Sequence, residues 1–295
     1  MSWTEAFASA GYTIASRADL RALGATDRML TSAARSHHLL RVRRDHYAIP
    51  GTDLHVLRAV RVGGRLACVS ALRHEGIFGF DYTNTHIHLR KSASRSRSPR
   101  TRAVPLTAVN REGARLHWHP LIDEHDGNGF TVGVVDALAQ VVRCNHPWHA
   151  IASLDNALFL GKINEDDLAT LFGHLPDRFG ALRFQVDGRS EAGQETVLRC
   201  AFRAVGLDPE LQVDVPGIGR VDQVLEGRLI VEADSRQAHD GWELHVRDRD
   251  RDIDAARLGY MSLRPAYNRT MHATNDVVEA VVHLLRGMDR FRTIL

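Results

Sequence analysis

Little in this chain marks it for the outside of a cell or for a membrane. Its three cysteines, at 68, 144 and 200, lie far apart and lack CxxC spacing. That excludes a disulfide framework and fits reduced, buried thiols. No apolar run approaches bilayer-spanning length. The opening MSWTEAFASAGYT has no basic stretch of the kind that begins a secretory signal. A cytoplasmic protein without a membrane partner is expected. Neither sign of charge dominates: 38 Lys and Arg against 36 Asp and Glu leave a formal +2, to which 17 His add at mildly acidic pH. Overall charge therefore neither demands nor excludes nucleic acid, and its local distribution must decide. With 295 residues, 44% hydrophobic and 25% charged, the chain has room for two or three small domains with real cores.

Residues 1–50 predict a helix-turn-helix with a hairpin. Ser16 is placed as an N-cap with Asp19 three residues on, Leu20 and Leu23 face a core, and Gly24 ends the helix. A second helix starts near Thr26-Asp27 and carries Met29, Leu30, Ala33 and Ala34. Then LLRVRRDHYAIPG alternates, with Asp45 suited to a hairpin turn. This is the element order of a winged helix, whose second helix can enter a major groove while the ribbon touches phosphates. Arg28, Arg35, His37 and His38 on the helix and its end are the candidate DNA contacts, with Arg41, Arg43 and Arg44 on the wing. A small helical domain with a basic hairpin for protein contact is the competing reading.

Residues 51–185 predict a mixed α/β connecting domain. Helices are expected around Ala67–Ile77, from the apolar run 131–142, over Ile151–Leu160 and over Glu165–Leu171. Arg90, Lys91, Arg95, Arg97, Arg100 and Arg102 crowd one window, with no acidic residue between Asp81 and Glu112. Its Ser and Pro content predicts a mobile loop. Such a loop either attaches to phosphates without reading bases or is simply solvated. His117-Trp-His119 has strand spacing, and His146-Pro-Trp-His149 lies nearby in sequence. No Cys or carboxylate stands at zinc-site spacing from them, so they are expected to be satisfied or surface histidines rather than ligands.

Residues 186–295 predict a compact α/β core. A helix capped at Ser190 places Glu195 mid-helix, and three short strands follow: Leu211–Val215, Arg220–Leu225 and Arg228–Ala233. A charged helix 247–258, a strand 260–264 and a helix 275–285 complete it. Asp222 lies early in the second strand, and Glu232 and Asp234 at the end of the third, on one face. Through a Glu226-Gly227 turn, Asp222 opposes a position near 231, and a one-residue shift decides whether 222 and 232 share a face. If they converge, Asp222 and Glu232 could hold Mg²⁺ or Mn²⁺ with the Ala233 carbonyl, and Glu195 could reach the ion directly or through water. His239 or Asp234 could orient or deprotonate an attacking water. Otherwise these are edge-strand carboxylates and a surface histidine. Asp248, Arg251 and Asp252 are expected to form an exposed ion-pair ladder, with a phosphate-facing Arg251 as the alternative.

The third region resembles the endonuclease domain related to the very-short-patch-repair mismatch endonuclease, in the restriction-endonuclease-like PD-(D/E)xK superfamily. The matching pieces are Glu195, Gln212, Val221-Asp222, Ile230-Val-Glu232-Ala-Asp234, His239, Asp248-x-x-Arg251-Asp252 and Leu258-Gly259-Tyr260. The first two regions resemble, more loosely, the winged-helix part of the abortive-infection type IV antitoxin family. The sequence departs from the first pattern in three places. Asp234-Ser235 stands for Asp-Gly, Gln223 for an aromatic, and Asp234 for the superfamily's catalytic Lys. Repair endonucleases of this type also lack that Lys and use a His, for which His239 is the counterpart. The resemblance implies a metal-dependent DNA endonuclease targeted by a winged helix, in defence or repair. The alternative is a DNA-binding regulator or antitoxin with an inert nuclease-like domain and a cognate toxin or defence partner.

Overall fold

Ser16 caps the helix that follows it: its hydroxyl accepts from Asp19 N–H, and the Asp19 carboxylate accepts from Ser16 N–H at 2.7 Å. Such local instructions recur throughout the computed structural model. It describes residues 2–233 and 242–292, the side chains of 242–248 and 290–292 excepted. The fold is α+β. The chain divides into two compact units, Met1–Val141 and Val142–Leu295. The division falls inside one helix, α6, which is described whole with the first unit.

The first unit begins with α1 (Trp3–Ala10), β1 (Ala15–Ser16), α2 (Arg17–Ala22), α3 (Asp27–Arg35), β2 (Leu40–Arg43) and β3 (His46–Ala48). The three strands form an antiparallel sheet in the order β1-β3-β2. Phe7, Ala15, Leu20, Leu30, Leu39 and Tyr47 close a small core between helices and sheet. Leu23 is not part of it. It is the residue after α2 and half exposed, because the helix ends one residue before the periodicity would bury it. Asp45 turns the hairpin in the left-handed region, at φ 59°. The unit continues through α4 (Leu54–Val62), β4 (Arg65–Leu66), α5 (Cys68–His74), β5 (Thr85–His88), β6 (Ala114–His117) and α6 (Val134–Cys144). Here the sheet order is β4-β5-β6, with β5 and β6 parallel. Asp136 on α6 accepts from the backbone of Ile122 and Asp123, and Gln140 accepts from Cys68 N–H at 2.9 Å.

The second unit holds α7 (Pro147–Phe159), α8 (Glu165–Gly173), a 3-10 turn (Asp177–Phe179), α9 (Gly180–Arg183) and α10 (Gly193–Ala204). Then come β7 (Glu210–Val215), β8 (Gly219–Leu225), β9 (Leu229–Val231), α11 (Trp242–Arg257), β10 (Met261–Leu263), α12 (Tyr267–His272) and α13 (Thr274–Arg292). The sheet order is β10-β9-β8-β7, and only the β10–β9 pair is parallel. Leu198 and Phe202 of α10 and Val277 and Val281 of α13 bury Leu225, Leu229 and Val231. The polar centre of this unit is Asp155, wholly buried on α7. It accepts from Thr196 Oγ1 at 2.7 Å and Asp187 N–H at 2.7 Å, and pairs with buried Arg199.

Candidate functional site

The hairpin between β8 and β9 places the predicted carboxylates. Its loop is Glu226-Gly227-Arg228, so that Leu225 pairs with Leu229, Val224 with Ile230 and Gln223 with Val231. A two-residue turn would have set Asp222 against 231. The third loop residue, Arg228, shifts the register by one and sets Asp222 across from Glu232, the residue that follows β9. Both Glu226 and Gly227 have positive φ, 49° and 64°, which the tight reversal needs. Ala233 N–H then donates to Asp222 Oδ2 at 3.0 Å. Asp222 Oδ1 has no hydrogen-bond partner among the described residues. Burial pushes Asp222 up to about 6, with Glu232 and Glu191 adding repulsion against the opposing Ala233 hydrogen bond.

Glu195 lies in the first turn of α10, not mid-helix, because the helix starts at Gly193 rather than near Ser190. Ala192 has no side chain able to cap it. Glu195 does so instead, accepting from Ala192 N–H at 3.0 Å and Glu191 N–H at 3.1 Å. Gln212, on β7 at φ 53°, donates to Glu195 Oε2 at 2.9 Å. A non-glycine residue in the left-handed region is strained, and such strain concentrates at functional sites. Gln223 Nε2 donates to the Glu195 carbonyl at 2.7 Å. Burial, then the charge of Asp222, push Glu195 up to about 7.

Glu232 has cationic company. Arg264 Nη2 lies 2.5 Å from Oε2 and Arg251 Nη2 3.1 Å from Oε1. Arg251 also donates to the Arg220 carbonyl at 3.0 Å. It is therefore not a rung of an exposed helical ladder. Asp252 does pair with Arg249 at i, i−3, yet also with Arg264 at 3.0 Å. Asp234 and His239 lie outside the described residues, as does the side chain of Asp248.

The predicted DNA contacts fall into two groups. Arg28, Arg35, His37, His38, Arg41, Arg44 and Arg95 are exposed. Arg43 and Arg97 are half-buried. Arg43 donates to the Arg95 carbonyl at 3.4 Å and lies so close to Gly63 that a Cβ there would meet Nη1 at 1.3 Å. Burial, then Arg97, lower its pKa. Arg43 is thus packed against Gly63 and held to the Arg95 carbonyl, half-buried.

No family model matches the chain, and no curated protein matches it. No helix among the described residues is long and apolar enough to cross a membrane.

At His117 the structure departs from the sequence expectation. His117 does have cysteine neighbours: Cys68, His86, His117 and Cys144 bring ligand atoms within 4.8 Å of one another, a buried group able to hold a metal ion. Among the described residues no other such group of three or more occurs. Its members are separated by 17, 30 and 26 residues, so no short ligand motif announces them. Cys68, His86 and His117 each adjoin an apolar residue, which is a weak signal, and Cys144, between Arg143 and Asn145, lacks even that. His119 is exposed, and His146 caps α7 by accepting from Trp148 N–H.

Proposed function

We propose that this chain is a metal-dependent DNA endonuclease using Mg²⁺ or Mn²⁺, brought to DNA by an N-terminal winged helix. The observation that carries the reading is the β8–β9 register, which sets Asp222 across from Glu232. The donor set supports it: two carboxylates and the Ala233 carbonyl are hard oxygen ligands of the kind Mg²⁺ prefers. Burial pushes Asp222 and Glu195 up, to about 6 and about 7, and neither is paired with an arginine as Glu232 is, so a cation beside them would favour their charged forms. A bound ion would lower the pKa of a coordinated water and neutralise charge on the scissile phosphate.

The chain's own residues supply the remaining roles. Gln194 Nε2 donates to the Ala233 carbonyl at 3.3 Å and orients it. Glu195, with a pKa near neutrality, is suited to accept a proton from water at the site. Arg251 offers a cation to the phosphate. Asp234 and His239 keep the water-orienting and base roles that the sequence suggests. On DNA, Arg28, Arg35 and His38 would face the major groove, Arg41 and Arg44 the phosphates, and Arg95 and Arg97 the neighbouring backbone.

A second reading is favoured by the two arginines on Glu232, which compete with a metal for its oxygens. In it the chain is a DNA-binding regulator or antitoxin whose nuclease-like domain is inert and presents a surface to a toxin or other defence protein. The test is incubation of supercoiled and linear DNA with the protein and Mg²⁺ or Mn²⁺. The nuclease reading expects cleavage that Asp222→Ala abolishes while DNA binding survives. Binding without cleavage gives the second reading, and neither binding nor cleavage overturns both.

A further inference from the structure

We propose that Cys68, His86, His117 and Cys144 form a structural zinc site, with Asp81 as the carboxylate that orients His86. The inference is independent of the nuclease reading and rests on the donor set, its geometry and its surroundings.

The elements converge for ordinary structural reasons. In the parallel β5–β6 pair, His86 lies across from Arg115 and His88 from His117. His86 and His117 are therefore diagonal neighbours on one face of the sheet. Their rings stack with centroids 5.2 Å apart, and His86 Nδ1 lies 3.1 Å from His117 Nε2. Cys68 opens α5 and is tied to β5 by the Ala67 N–H bond to the His86 carbonyl at 3.0 Å. Cys68 is held at φ 49°, a conformation rare for a residue with a Cβ. Gln140 on α6 accepts from Cys68 N–H, and Cys144 lies one turn further along the same helix. That spacing puts residues 140 and 144 on one helix face, toward Cys68.

The distances suit a small tetrahedral ion. With metal–nitrogen bonds of about 2.0–2.1 Å and metal–sulfur bonds of about 2.3 Å, two nitrogens sit about 3.3 Å apart and two sulfurs about 3.8 Å apart. The observed N···N separation of 3.1 Å is close to the first value, and the four ligand atoms all lie within 4.8 Å of one another, so a contraction of at most about 1 Å closes the set on an ion. Two sulfurs and two imidazoles select zinc over Mg²⁺ or Ca²⁺, which prefer oxygen. Four protein ligands leave no open position, so the site is structural rather than catalytic.

The outer shell supplies the independent observation. His86 Nε2 lies 3.1 Å from Asp81 Oδ2. Asp81 is fixed in turn by Thr83 N–H at 2.9 Å, Thr83 Oγ1 at 2.8 Å and Asn84 N–H at 3.2 Å. A carboxylate there keeps the ring proton on Nε2 and turns the Nδ1 lone pair toward His117 and the thiols. This is the arrangement that outer-shell carboxylates impose on zinc-bound histidines. A plain His–His hydrogen bond concerns the two rings alone, whereas the zinc site accounts for all four ligand atoms lying within 4.8 Å of one another.

The test is the zinc content of the full chain purified without chelator, together with the absorption spectrum after cobalt exchange. One zinc per chain and a tetrahedral cobalt spectrum with thiolate charge transfer are expected. His119→Ala, next to the site but exposed, retains the metal, whereas His117→Ala and Cys144→Ser lose it. Asp81→Asn still binds, about 10- to 100-fold more weakly in competition with a chelator. Folded wild-type protein without zinc, or a cobalt spectrum without thiolate charge transfer, overturns the proposal even if the ligand variants fail to fold.

Discussion

Asp222 Oδ2 accepts the Ala233 N–H at 3.0 Å, so the carboxylate of one strand holds the backbone at the exit of the next. The bond fixes where the chain leaves β9 and with it the position of Glu232. Its acceptor is an acid that burial holds at about 6. The contact is therefore built from a group that would be more comfortable uncharged or beside a cation.

That discomfort has a pH signature. Asp222 and Glu195 are acids whose folded pKa values, about 6 and about 7, lie above their ordinary 3.8 and 4.5. Each favours the fold while protonated. Stability is full below the ordinary values and falls as pH rises to about 6 for Asp222 and about 7 for Glu195. Asp222→Asn keeps an acceptor for Ala233 N–H and removes the charge. Without added Mg²⁺ or Mn²⁺, it should exceed wild type in urea denaturation at pH 8 by on the order of 1–3 kcal/mol. The gain should vanish near pH 4. An equal difference at both pH values would contradict the assignment.

Asp155 predicts the opposite behaviour on truncation. Its partner Arg199 is wholly buried, and among the described residues Arg199 Nη1 has only Asp187, 3.5 Å away, as a further anionic partner. Asp155→Ala strands a buried guanidinium and should cost about 3–5 kcal/mol in chemical denaturation. Asp155→Ala combined with Arg199→Met should recover much of the loss. A single variant as stable as wild type would show that the pair is not buried as described.

Glu195 has a structural duty separable from any chemistry. Glu195→Ala leaves the N–H groups of Glu191 and Ala192 without their acceptor and should cost about 1 kcal/mol, the usual value of a helix cap. Glu195→Gln keeps one acceptor and removes a charge that burial disfavours, so at pH 8 it should be about as stable as wild type or more so. A DNA-cleavage defect in Glu195→Gln at near wild-type stability would then report on chemistry alone.

The hairpin arginines differ in what they can touch. Arg41 and Arg44 are exposed, whereas Arg43 is packed against Gly63. Replacing Arg41 and Arg44 together by Ala should weaken DNA binding and reduce the slope of log K against log salt by about 2, one per lost phosphate contact. Arg43→Ala should change the slope less and stability more. Fluorescence anisotropy over a salt series, with a melting curve for each variant, checks both.

The legible parts of the chain were those encoded locally. Ser16 with Asp19, Thr26 before α3, Asp45 in the hairpin and the Glu226-Gly227 reversal act over a few residues, and each left its mark at the expected place. The register of Asp222 did not, because it depends on whether Arg228 belongs to the strand or to the loop. Helices α1 and α4 carry local signals too, the Ser2–Glu5 capping box with Gly11 behind it and the Asp53 cap with Gly63 behind it, whereas six-residue α12 has no side-chain cap to mark it. The Cys68–His86–His117–Cys144 group has no local mark of this kind: its residues meet through the parallel β5–β6 pairing and the packing of α5 and α6.

Whether Asp222 and Glu232 share a divalent ion, as proposed, is read from an anomalous difference map of a crystal soaked in Mn²⁺. The expected result is a peak at coordination distance from both carboxylates, with Arg251 or Arg264 drawn off Glu232. A well-ordered site with no peak, and with both arginines still gripping Glu232, would contradict it.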